Sequence, residues 1–483
     1  MNPDGIPILS WITFVPLIGA AVIACAGKDN HRGIKLVALT ASLLSFALTL
    51  CVWHRFNPAG GLNFEEKFDW IKILNVQYHL GVDGLSITML LLTATITPLA
   101  LLAHWKQDRD PKLFFFLFLL LETGMFGVFT ALNFFHWFIY WELGLIPMFF
   151  LIKIWGAEDR SYASFKFFIY TLAGSIGLLL AMSFLYLATN TFDFIELRQL
   201  AAAGKLQPAV GAMLSRIHIP IHAECFMALL FWGSILGLAI KVPVWPFHTW
   251  LPDAHTQAPT GGSMVLAAIL LKMGVYGLLR IVLPFYPEQV AHNINILLGL
   301  SVASIVFGAF AALAQTDFKR LVAYSSVNHM GYATLGIFAV AAQGGAFDDK
   351  SATLTGAMLQ MFNHGISSAA LFFMVGCIYE RTHTRNLAEY GGLRKIMPVY
   401  AGLLGISMFS SLGLPGLNGF VGEFMVFKGA FPITIFWSAL STIGLVVTGV
   451  FLLSMMQKVC YETLNEKWKD LTDLTGQIGR AHV

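Results

Sequence analysis

The sequence predicts an all-α polytopic membrane protein, and three observations carry that prediction. Of 483 residues, 57% are hydrophobic and 14% aromatic, while only 12% are charged, against about 25% in soluble proteins. The mean hydropathy is +0.70, and the deficit of charge runs through the whole chain instead of sitting beside one anchor. Apolar runs long enough to cross a bilayer recur from end to end.

A helix needs roughly 20 apolar residues to span the hydrocarbon core. On that criterion thirteen spans are expected near 7–26, 34–53, 84–104, 113–133, 136–155, 163–188, 226–246, 262–284, 295–314, 321–342, 352–379, 396–427 and 433–456. The only charge before the first span is Asp4, so that span lacks a signal peptide's positive n-region and is expected to be retained. The loops after odd-numbered spans carry Lys28 and Arg32, Lys106 and Arg109, Arg160, Lys319 and Arg320, and Arg381, Arg385, Arg394 and Lys395. The short loops after even spans are nearly free of Lys and Arg. By the positive-inside rule the N-terminus faces outward and the polar tail 457–483 ends inside. Two longer outward segments, 54–83 and 189–225, have room for short strands or amphipathic helices.

Two spans carry helix breakers. Span 7 contains "AIKVPVWPFHTW" (239–250) and span 12 contains "GLPGLNGFVGEF" (413–424). Proline removes an amide donor and clashes with the preceding turn, so both helices are expected to break inside the membrane. The breaks lie five spans apart. If spans 4–8 and 9–13 are equivalent units, an odd offset makes the second unit inverted, an arrangement typical of transporters with the ion path at the interruptions. The expected division is an N-terminal three-helix segment (1–112), a first five-helix repeat (113–284), a second repeat (285–456) and the tail (457–483).

Charge inside a span costs about 2.5–3.5 kcal/mol at the helix centre, and such residues usually line a path or pair with one another. Seven candidates stand inside spans: Glu122, Glu142, Lys241, Lys272, His329, His364 and Glu423. Burial disfavours the charged form of each, and an opposite charge nearby restores it. A Glu–Lys pair can thus gain and lose a proton as it closes and opens, and histidine can relay between such groups. Glu142 with Lys241 is the leading pair.

Other chemistries find little support. The cysteines Cys25, Cys51, Cys225, Cys377 and Cys460 are dispersed with no CxxC, which argues against a disulfide framework, an iron–sulfur cluster or a structural zinc site. No GxGxxG or Walker-type motif is present, and a net charge of +3 is too small to suggest nucleic acid binding. His248, Asp253 and His255 are metal-ligand types, but no further ligand is close in sequence, so a structural or proton-access role is preferred. The run "LFFFLFLLLE" (113–122) reads most simply as lipid-facing surface.

The string "KVPVWPFHTWLPDAHTQAPTGGSMVLAAILLKMGVYGLLR" (241–280) resembles the subunit-4 (chain M) branch of the antiporter-like subunits of proton-pumping NADH:quinone oxidoreductase, respiratory complex I. "YWELGLIPMFFLI", "QTDFKRLVAYSSVNHMG", "FNHGISSAALFF" and "LPGLNGFVGEF" fit the same family in the same order. The resemblance implies a fourteen-helix antiporter-like fold with inverted five-helix repeats and broken helices 7 and 12. It implies that Glu142 is the span-5 glutamate, Lys241 its span-7 partner, Lys272 the span-8 lysine and Glu423 the acid of span 12. His329 and His364 would lie on a central hydrophilic axis, and Glu122 matches a span-4 acid of less defined role. The chain would carry no cofactor and no metal. NADH, FMN, iron–sulfur clusters and quinone would belong to the complex, and the neighbouring antiporter-like subunits (2/N and 5/L) and the lipid bilayer would be its partners. The implied location is a bacterial cytoplasmic membrane. The family also has a fourteenth span, whereas "NEKWKDLTDLTGQIGRAHV" has no apolar run, so the last residues read as a truncated or foreign ending. Two alternatives are a subunit of a multisubunit cation/proton antiporter and a membrane module of a hydrogenase-like complex.

Overall fold

The computed structural model describes residues 5–474. Asp4 and the ending "IGRAHV", on which two expectations rest, lie outside them. The architecture is a layered bundle of membrane-length helices with one small two-stranded sheet. The elements are α1 (Ile8–Cys25), α2 (His31–Arg55), β1 (Asn63–Ile71), β2 (Val76–Val82), α3 (Gly84–Ala103), α4 (Pro111–Thr130), α5 (Phe134–Leu143), α6 (Leu145–Trp155), α7 (Arg160–Thr189), α8 (Phe194–Ala202), α9 (Leu206–Arg216), α10 (Ala223–Lys241) and α11 (Trp250–Gln257). Then follow α12 (Thr260–Phe285), α13 (Pro287–His292), α14 (Ile294–Leu313), α15 (Phe318–Ala341), α16 (Phe347–Thr382), α17 (Pro398–Leu412), α18 (Asn418–Ile433) and α19 (Ile435–Tyr461).

Eleven helices among the described residues are long and apolar enough to cross a membrane, counting α5 with α6 as one. Two further expected spans correspond to α15, whose head carries Lys319 and Arg320, and to the pair α17 and α18. The scarce polar residues between helices act as caps. Asn30, Asp83, Asn133, Asp193 and Asp317 each accept an amide of the first turn that follows, satisfying donors that no helical carbonyl can reach.

Alternation of the loops is visible in their contacts. Elements after even spans meet on one face: β1 and β2 form an antiparallel hairpin, Leu80 bridges to Ala131, and Asn133 bridges to Asp193. Here buried His79 lies between Asp193 Oδ2 at 2.5 Å and Glu65 Oε1 at 3.1 Å. Loops after odd spans meet on the other face, where Asp317 bridges to Asn386 and Ala157 N donates to Gln257 O. The segments 54–83 and 189–225 thus hold the hairpin and the amphipathic α8 and α9.

Two features differ from the sequence reading. The run 113–122 is not lipid-facing: Phe114, Phe115, Phe118, Leu119 and Leu121 are fully buried. Helix α4 is surrounded by α1, α2, α3, α5 and α6, so its rings fill the interior of the N-terminal bundle. The fifth span is also not continuous. It is divided at Gly144 because Pro147 offers no amide to the carbonyl of Leu143 and crowds that turn. The tail begins as helix to Tyr461, and then Asp473 accepts the amides of Val399 and Tyr400 at the head of α17.

Candidate proton path

Breaks bring the polar groups inward. Helix α10 stops at Lys241, the chain turns through a segment holding Pro243 and Pro246, and α11 starts at Trp250. Helix α17 stops at Leu412, Gly413 takes a left-handed φ of 77°, and α18 starts at Asn418. A Cβ on Gly413 would stand 2.7 Å from Glu423 Oε2, so glycine both makes the turn and leaves room for the carboxylate. Helix α12 contains two wide π-turns, Leu266–Leu270 and Leu278–Val282, which bracket Lys272.

Four of the seven sequence-predicted residues form one buried chain. Lys272 Nζ lies 2.6 Å from the carbonyl of Ala267, in the first π-turn, and 2.6 Å from His364 Nδ1. His364 Nε2 is 3.1 Å from Ser326 Oγ. The rings of His364 and His329 are 5.4 Å apart, and His329 Nδ1 is 3.1 Å from Glu423 Oε1. Gln360 Nε2 donates to the same carboxylate oxygen at 3.0 Å and lies 3.4 Å from His329 Nδ1. All these side chains are buried. They come from α12, α15, α16 and α18; α16 packs against each of the other three, and α15 and α18 also pack on each other.

The other three residues stand apart from this chain. Lys241 is buried with its ammonium 4.7 Å above the Trp141 ring, beside Glu142. Glu142 is the carboxylate whose charge acts on Lys241. No direct ion pair joins the two among the described residues, and Glu142 Oε1 has no hydrogen-bond partner. Glu122 is fully buried and accepts from Ser42 Oγ at 2.8 Å, with its second oxygen unpartnered.

Two participants escaped the sequence reading, and a third, His255, is one to which the sequence assigns a structural or proton-access role. Gln360 and Ser326 complete the chain. Gln360 stands four residues before His364, a one-face spacing in "QMFNHG" that was legible. His255 is fully buried, stacks on Phe372, and has neither ring nitrogen hydrogen-bonded. It interacts electrostatically with Lys272, Lys319 and His364. Asp253 is instead held by Lys166 at 2.7 Å and Arg320 at 3.4 Å, and among the described residues no cluster of three His, Cys, Asp or Glu side chains could hold a metal ion. What the arrangement offers is a row of buried groups that can each hold or hand on a proton without leaving the membrane interior.

Comparison with known proteins places this geometry in context. The transmembrane model of the NADH:quinone oxidoreductase/Mrp antiporter family matches residues 131–451. NADH-quinone oxidoreductase subunit M of Rhodobacter capsulatus is 41% identical over 474 residues, covering 97% of this chain and 89% of the relative. The NAD(P)H-quinone oxidoreductase chain 4 1 of Synechococcus elongatus is 37% identical over 474 residues, covering 96% and 84%. A chain of respiratory complex I from Thermus thermophilus superposes with a TM-score of 0.82 at 28% identity, covering 98% of this chain and 91% of that one. A chain of an archaeal membrane-bound sulfane sulfur reductase shares the fold, with a TM-score of 0.83 at 21% identity, covering 98% and 74%.

Proposed function

The chain belongs to the NADH:quinone oxidoreductase/Mrp antiporter transmembrane family, and from that premise we propose that it is a proton-translocating membrane-arm subunit of an NADH:quinone oxidoreductase. Redox chemistry belongs to other subunits, with NADH, FMN, iron–sulfur clusters and quinone. The neighbouring antiporter-like subunits are its partners along the arm, in a bacterial cytoplasmic membrane with the N-terminus outward. Residues 113–284 and 285–456 act as two inverted repeats.

The observation that carries this reading is the buried chain from Lys272 through His364 and His329 to Glu423. Quinone reduction elsewhere changes the field around Glu142 and Lys241. When Glu142 is close, its charge favours protonated Lys241; when that influence weakens, the proton moves toward Lys272. The Lys272–His364 contact receives it, His329 relays it, and Glu423 is the exit-side acid. Moving a charge against the membrane potential costs about 2.3 kcal/mol per 100 mV, so the gap between the two histidine rings must conduct only transiently. Glu122, held by Ser42 in the N-terminal bundle, is a secondary member of the set.

The test uses Glu142→Gln in the assembled complex, reconstituted in sealed vesicles, with NADH:quinone turnover and proton uptake followed together. Loss of both with normal assembly supports the reading. Unchanged turnover and pumping would make Glu142 a packing residue and remove the first step.

A further inference from the structure

Beyond the buried chain, a polar cleft of about 410 Å³ opens where the loops after three odd spans converge. Glu158, Thr316, Asp317, His383, Arg385 and Asn386 are among its lining residues, and Glu158 and His383 are exposed. At its floor Arg385 Nε pairs with Asp317 Oδ2 at 3.1 Å, and Arg385 Nη1 donates to the carbonyl of Thr256 at 2.6 Å. Thr256 adjoins His255, the histidine with no hydrogen-bond partner on either ring nitrogen. Two residues past Asp317, Lys319 is buried and donates to the carbonyl of Ala258 at 2.5 Å. It interacts electrostatically with Asp317 and Arg385 on the cleft side and with His255 on the inner side.

Resting on the function proposed above, we propose that this cleft is the proton-intake mouth of the chain, with Lys319 the first buried carrier behind it. Cleft carboxylates concentrate protons, as a charged concavity between low-dielectric walls does for any counter-ion. The Arg385–Asp317 pair keeps bulk water from reaching Lys319 directly. From Lys319 the proton passes to a free ring nitrogen of His255 and on toward Lys272. The step is a proton transfer between nitrogen bases and consumes no other reactant. Two otherwise unexplained observations, a buried lysine bonded only to a carbonyl and a histidine with two empty nitrogens, find one account.

Asp317→Asn keeps an acceptor for the helix cap and removes only the charge. In the assembled complex in sealed vesicles, Asp317→Asn should lower NADH-driven proton uptake about tenfold at about pH 8 and approach the parent at about pH 6, because abundant bulk protons replace the collector. Lys319→Gln instead removes the carrier itself and should lower uptake about tenfold at both. Electron transfer from NADH to an artificial acceptor should be unchanged, reporting intact assembly. For Asp317→Asn an equal loss at every pH, or for either variant no loss at any pH, would overturn the intake assignment. Lys272→Ala run in parallel separates the two claims: if it pumps normally, the function itself fails and the intake proposal with it. If Lys272→Ala is defective while Asp317→Asn and Lys319→Gln match the parent throughout, only the intake proposal falls.

Discussion

Lys272 and His364 share one hydrogen bond of 2.6 Å in the buried interior, where neither reaches water. An ammonium can only donate, and neutral imidazole has one acceptor nitrogen. Protonated Lys272 therefore needs His364 Nδ1 as acceptor and its Nε2–H turned to Ser326. If the proton moves to the ring, neutral Lys272 accepts instead. A proton entering the pair is thus shared between the two, and they are expected to act as a unit.

Replacing either member should therefore cost about as much as replacing both. Lys272→Met and His364→Gln should each lower NADH-driven proton uptake by about 10²-fold, within the range of a lost proton-transfer group, and the double variant should be no worse than the weaker single. Losses that multiply would show two independent functions.

Gln360 supplies the second test. It donates to Glu423 Oε1 beside His329 Nδ1, so it fixes which carboxylate oxygen the histidine meets. Gln360→Leu leaves that oxygen one donor short, a change of about 1–3 kcal/mol, and should slow proton uptake by roughly tenfold or more. Gln360→Glu, which keeps shape but adds charge, should be worse. Parent-like pumping in both variants would show that Gln360 is mere packing.

Trp141 is expected to matter through Lys241. Its ring face lies under the ammonium while its indole N–H is held by Ser175 Oγ at 3.0 Å. Trp141→Leu removes a contact worth about 1–2 kcal/mol to a desolvated cation. Turnover should shift its pH optimum downward, since the charged lysine is less favoured and needs more protons. An unmoved pH profile would show that the ring does not support the charge.

Asp83 gives a prediction in acid. Burial alone pushes its carboxyl up, but two hydrogen bonds and the charge of Arg280, at 2.7 and 2.8 Å, outweigh it and hold the group below the usual carboxylate range. A folded value below the unfolded one means stability present above the unfolded value of about 3.9 and lost as pH falls through the folded one. Asp83→Asn should lower the unfolding temperature of the complex at neutral pH, by an amount equivalent to roughly 1–2 kcal/mol for this partly exposed pair. The difference should close below about pH 4. A gap that persists unchanged in acid would assign the loss to the cap and not to the ion pair.

Much of the arrangement was legible because its signals are local. Apolar length marks helices, Pro415 with its neighbouring glycines marks a break, and a charged residue in an apolar run marks itself. What stayed hidden depends on neighbours. The rings of 113–122 look like lipid surface until α4 is known to be encircled. Lys319 looks like a loop charge counted for orientation until its ammonium is seen turned inward to Ala258. Glu142 and Lys241 suggest a direct ion pair by charge alone, whereas the lysine is over Trp141. The two π-turns around Lys272 have no signature in single-residue preferences, since each adds only one residue to an otherwise helical pattern.

The clasp on the hairpin face bears on how the chain is made. His79 and Asp193 are 114 residues apart, and Asp83 and Arg280 are 197 apart. The hairpin therefore emerges from the ribosome well before its partners exist. Until α8 has been made and set in place, Asp193 cannot meet His79, and until α12 has followed, Asp83 lacks its guanidinium. Biogenesis must hold the first three helices loosely and seal them late, a long-range closure of the kind that makes assembly slow. Errors in inserting α7 or α12 would thus be felt first at the N-terminal end of the molecule.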